Sequence, residues 1–154
     1  MSPGGAGEPE MLRAPLVIEY PFSRTVGPAV GAFLTGLREQ LLLGVRLEDG
    51  RVMVPPTEYD PQTAAELSEL VEVGPGGEVQ TWTWVPEPRP EHPLDQSFAF
   101  ALVKLDGADT GFLHAVAADE SAMATGMRVT AQWRDKREGH IRDLECFVPE
   151  EASG

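Results

Sequence analysis

The chain has 154 residues, the size at which a single domain buries a core of its own. Hydrophobic residues make up 42% and charged residues 24%, a globular balance, and no apolar run reaches the roughly 20 residues that a membrane helix requires. A formal net charge of −13 argues against nucleic-acid binding, which draws on an excess of Lys and Arg to release phosphate counterions.

Cys146 is the only cysteine, so internal disulfides and Cys-pair metal sites are excluded, and the scattered His92, His114 and His140 do not replace one. Between Glu145 and Phe147, Cys146 reads as a buried, unreactive thiol. Residues 1–10 lack the basic-then-apolar order of a secretory signal, and a cytoplasmic location is expected.

In chain order, residues 1–14 read as a disordered start, and Pro15 to Pro21 as an extended apolar segment closed by proline. After Gly27-Pro28, the residues Val30, Phe33, Leu34, Leu37 and Leu41 recur at helical spacing, with Gly44 as the expected stop. Gly31, Thr35 and Gly36 weaken this helix, so packing must hold it.

Val45 to Pro55 predicts a hairpin around Asp49-Gly50, a pair suited to a tight turn. Asp60-Pro61 predicts a short helix, with Thr63 and Glu66 at capping-box spacing as a competing start.

From Gly74 onward the pattern becomes strands and turns: Glu78 to Val85, a proline-rich loop over Pro86 to Pro93, Phe98 to Leu105, and Gly111 to Ala117. A short helix at Glu120 to Thr125 precedes two last strands, Met127 to Arg134 and His140 to Val148. Three strands, a short helix and two more strands are the order of a five-stranded OB-fold barrel; a generic small β-barrel is the alternative.

These pieces resemble a family of zinc-ribbon plus OB-fold proteins associated with acyl-CoA metabolism and long catalogued as a domain of unknown function. The likeness covers about residues 22–149 and is carried by Gly44-Val45-Arg46, Gly50-Arg51-Val52, Val54-Pro55-Pro56, Gly77 to Thr83, Val103 to Gly107, Gly126 to Val129 and Phe147-Val148-Pro149. It implies a mainly β chain divided into an N-terminal helix and ribbon over 15–73, an OB domain over 74–149 and a tail over 150–154. The family's ribbon is a rubredoxin-like hairpin with two cysteine pairs on zinc. Here those places read Leu47 to Gly50 and Asp60 to Thr63, so a degenerate ribbon without zinc is expected, held through Asp60 or Thr63 and by packing of Met53 and Tyr59.

The resemblance further implies a companion role: an accessory subunit, not an enzyme by itself, of a thiolase-like, lipid-transfer-type protein in a two-plus-two heterotetramer. The chemistry would be carbon–carbon bond cleavage or formation on acyl-CoA thioesters, including retro-aldol cleavage in steroid side-chain degradation. A stand-alone OB-fold protein binding a ligand or single-stranded nucleic acid is the alternative.

Val30, Phe33, Leu34, Leu37 and Leu41 form a stripe for a partner, or else dock onto the chain's own barrel. Trp82 and Trp84 share one strand face, either exposed for stacking on an adenine or a partner, or completing the core. Arg128, Arg134 and Arg137, with Lys136 and Arg142, could hold the phosphates of acyl-CoA as a shared ligand, or form a solvated hairpin. No tightly bound cofactor and no catalytic constellation is visible.

Overall fold

The computed structural model describes residues 27–150. The predicted disordered start, the extended segment over 15–21 and the tail beyond Glu150 lie outside the described residues.

One helix, α1 (Pro28–Arg38), opens the described chain with proline in its first turn. It ends six residues before Gly44, which corrects the predicted length. The reason is a Schellman closure: Gln40 adopts φ 62°, its N–H donates to the Leu37 carbonyl (3.1 Å), and the Leu41 N–H donates to the Gly36 carbonyl (2.8 Å). Leu41 therefore lies past the helix. Gly44 instead serves close packing, since a Cβ there would come within 2.8 Å of the Met53 carbonyl oxygen.

The ribbon is a three-stranded antiparallel sheet in the order β2-β1-β3, from β1 (Leu42–Arg46), β2 (Val52–Met53) and β3 (Leu70–Val73). Gly50 takes φ +94° in the predicted turn, with open space around it. The predicted helix after Asp60 is absent. The Asp60 carboxylate instead binds the amides of Gln62 and Thr63 as well as that of Glu48, which holds the segment as a turn.

Residues 76–149 close into a barrel in the order β4-β5-β6-β8-β7, the OB-fold. Its strands are β4 (Gly76–Val85), β5 (Phe98–Leu105), β6 (Gly111–Val116), β7 (Arg128–Trp133) and β8 (Leu144–Pro149). A 3₁₀ turn at Glu120–Ala122 stands where the short helix was predicted. The last strand starts later than predicted because Ile141–Asp143 forms a second 3₁₀ turn capped by His140.

Ribbon and barrel share one core. Leu42, Val52, Val54 and Val73 pack in the same buried cluster as Val79, Val103, Leu105 and Phe147. Polar ties reinforce this. The Val52 amide donates to Asp109 (2.8 Å), the Asp109 amide returns to the Val52 carbonyl (2.8 Å), and the Val54 amide donates to the Thr110 hydroxyl (3.0 Å). The outer edge of β2 is thereby covered rather than left as an open template for pairing.

A bulge in β4 corrects the predicted tryptophan face. The pairing with β5 shifts between Val79 and Thr81, so Gln80 is an extra residue and the side-chain alternation inverts beyond it. Val79 faces the interior before the bulge, and Trp82 and Trp84 face it afterwards, half-buried against the core. Their cross-strand partners are Ala101 and Ala99, small residues that leave room for the indoles.

Candidate functional site

Four of the five predicted ligand-binding residues are committed elsewhere. The two tryptophans fill the barrel. Arg128 stands at the start of β7, about 20 Å along the strand from Arg134. It makes a forked contact to the Asp106 carboxylate (2.8 and 2.6 Å) and reaches Glu150 (3.3 Å). Hydrogen bonding to Arg128 holds the Asp106 carboxyl below the usual carboxylate range, against a smaller opposing effect of burial. Arg137 donates from Nε to the Arg38 carbonyl (2.8 Å) and so satisfies the C-terminal end of α1.

The other end of α1 is held in the same manner. Glu58 accepts the amides of Ala29 (3.0 Å) and Val30 (2.9 Å), a carboxylate at the positive pole of the helix. Between these anchors Phe33 and Leu37 are buried in the chain's own core, which corrects the reading of the full stripe as a partner surface. Val30, Leu34 and Leu41 remain half-buried.

The two ribbon turns meet on a single side chain. Asp60, 5% exposed, accepts from Glu48 across the gap (3.0 Å) and from Gln62 (2.8 Å) and Thr63 (3.1 Å) on its own turn. These amide bonds, led by that of Glu48, hold its carboxyl below the usual range despite burial. Leu47, Gly50, Asp60 and Thr63 make no tetrahedral thiolate or imidazole set, and among the described residues no group of three or more His, Cys, Asp or Glu could hold a metal. Met53 packs on Val45, Leu47 and Leu67 as expected, whereas Tyr59 is 61% exposed and its tie to the segment is the backbone bridge to Glu66. Asp60→Ala is expected to lower Tm by about 5 °C or more, while EDTA leaves the wild-type melting curve unchanged and metal analysis finds no stoichiometric zinc.

Arg134 is the predicted residue that stays available. It stands just past β7, where the β7–β8 loop approaches the proline-rich β4–β5 loop, and together they enclose a cleft of about 310 Å³. Arg142, His92 and His114 line it as well. The loops flanking an OB barrel's ligand face are these two.

Asp143 holds the β7–β8 loop together from within. It is 3% exposed; burial opposes its charge, but the amides of Glu138 (3.0 Å), Gly139 (2.7 Å) and His140 (3.1 Å) donate to it and hold its carboxyl below the ordinary value. The loop is therefore built around a fixed anion, with Arg134 and Arg142 outside it.

His114 closes a weak seam. β6 and β8 run parallel and share one ladder pair, Val116 with Phe147, and beyond it the His114 Nε2 hydrogen-bonds the Leu144 carbonyl (2.9 Å). The ring packs edge-on to Phe147 at 6.0 Å. Burial pushes its pKa down, opposed by the bond to Leu144. His92 lies in the opposite wall, packed edge-on to Phe98 and Phe100, with its Nδ1 accepting the Arg89 amide (2.9 Å).

Cys146 is buried, as read from the sequence. Burial and then the neighbouring Glu145 push its thiol up to about 11. Among the described residues no helix is long and apolar enough to cross a membrane.

Residues 70–134 match the family model of the ChsH2 C-terminal OB-fold domain. A structure of the Ltp2-ChsH2(DUF35) aldolase superposes with a TM-score of 0.59 at 17% identity, covering 82% of this chain and 98% of that one. A DUF35-family protein of unknown function from Sulfolobus solfataricus superposes with a TM-score of 0.56 at 21% identity, covering 68% of this chain and 78% of that one. No curated protein matches the chain. At these identities the superpositions speak for the fold, and they run through ribbon and barrel together, since the barrel alone spans less than 82% of the chain. By its closed barrel and its sequence match over residues 70–134, the chain carries an OB-fold domain similar to the C-terminal domain of ChsH2.

Proposed function

We propose that this chain is a non-catalytic accessory subunit of a thiolase-like, lipid-transfer-type enzyme that breaks or makes carbon–carbon bonds on acyl-CoA thioesters. The observation that carries the reading is the match to the Ltp2-ChsH2(DUF35) aldolase structure, which takes in 98% of that chain, so this protein holds its counterpart's full architecture. The described side chains agree with a companion role: the lone thiol is buried with a raised pKa, and the half-buried His114 imidazole is bonded to a backbone carbonyl.

In this reading the partner supplies the nucleophile and most of the acyl-CoA site, the assembly is a heterotetramer, and retro-aldol cleavage of a steroid side chain is the preferred chemistry. Co-expression with the thiolase-like protein encoded nearest to this chain, followed by size-exclusion chromatography and an acyl-CoA cleavage assay, tests it. A stable complex that loses its activity when this chain is omitted is the expected result. A chain that elutes alone and leaves the partner's rate unchanged would overturn the proposal in favour of a stand-alone OB-fold binder.

A further inference from the structure

The cleft between the β4–β5 and β7–β8 loops holds charges of both signs. Arg134 and Arg142 line it, and among the described residues neither enters an ion pair. Glu91 and Glu145 line it too, Glu145 accepting one hydrogen bond from Gln132 (2.8 Å). A plain anion would meet the two carboxylates, and a plain amine the two guanidiniums.

His114 adds a directed acceptor. A backbone carbonyl only accepts, so the contact to Leu144 places a ring proton on Nε2, and in the neutral ring Nδ1 keeps its lone pair. Among the described residues Nδ1 has no hydrogen-bond partner. Ile141, with Pro93 opposite, supplies apolar wall, and about 310 Å³ is at the lower end of small-molecule sites.

We propose that this cleft binds a small zwitterion, a carboxylate and a protonated amine on a short apolar body, as an apolar α-amino acid presents them. Arg134 and Arg142 take the carboxylate, Glu91 or Glu145 and the His114 Nδ1 take the ammonium, and the apolar walls take the side chain. The inference goes beyond the accessory-subunit reading and does not rest on it, because the isolated chain is enough for the test.

The full chain is titrated with L-leucine and L-phenylalanine, and with the analogues of leucine that lack one charge, 4-methylpentanoate and 3-methylbutylamine. Calorimetry gives affinity and ¹⁵N NMR locates the site. Saturable binding of an amino acid, with shifts at His114 and the two arginine side chains, is expected; each single-charge analogue should bind at least about tenfold more weakly. Arg142→Gln, an exposed change, should weaken amino-acid binding about tenfold without moving Tm. Absence of saturation by both amino acids, equal binding of 4-methylpentanoate, or shifts lying away from the cleft would overturn the proposal.

Discussion

Leu37→Ala is expected to destabilise the chain by about 3–5 kcal/mol, with loss of much of its helical circular dichroism on mild denaturation. Leu37 is fully buried and Phe33 nearly so, and Phe33 meets Phe112 of β6 edge-on at 6.4 Å. The helix is short and carries Gly31 and Gly36, so without this packing its own propensity does not sustain it. Urea unfolding followed by circular dichroism measures the effect, and Val30→Ala, on a half-buried neighbour, should cost about 1 kcal/mol or less. Unchanged stability in Leu37→Ala would mean that the helix is not held by the barrel core.

Gly77→Ala should be nearly as damaging, at about 3 kcal/mol. Gly77 pairs with Leu105 of β5 on one side and Val129 of β7 on the other, where the barrel closes. An added Cβ would sit 2.8 Å from the Lys104 carbonyl oxygen and 3.1 Å from the Leu105 Cα, and backbone is slow to yield. Glu78→Ala, on the exposed neighbour, should fall within about 0.5 kcal/mol of wild type in the same urea titration. Equal values for the two variants would show that the closure has slack.

The barrel was largely legible because its signals are local. Phe98 to Leu105 alternates large and small residues and forms the predicted strand, and Asp49-Gly50 carries its own turn chemistry. What stayed hidden depends on partners distant in sequence. Nothing in the composition of Val79 to Trp82 marks Gln80 as the extra residue, yet that one insertion decides which way both indoles face. Gln40 ends the helix in a conformation usually left to glycine, so the more conspicuous Gly44 drew the boundary.

The site was legible only in part for the same reason. Five cationic residues lie close together between Arg128 and Arg142, but strand geometry separates Arg128 from the rest, and Arg137 is drawn to a helix end formed far earlier in the chain. His92 and His114 look scattered along the sequence. Folding brings them to the same cleft, and that convergence has no sequence signal beyond the position of the two loops around an OB barrel.

The Asp60 joint gives the ribbon a different set of vulnerabilities from those of a thiolate-bound metal. Three backbone amides and one carboxylate contain no sulfur to oxidise, and their pairing forms as the chain folds, without waiting for an ion to be delivered. Its weakness is acid instead. Asp60 has a lowered pKa in the folded chain, so the stability it contributes is present above the ordinary aspartate value near 3.8 and is lost as pH falls through the lower, folded-state one. Oxidative stress and metal starvation, which loosen a zinc ribbon, are expected to leave such a joint intact, whereas strong acidity weakens it.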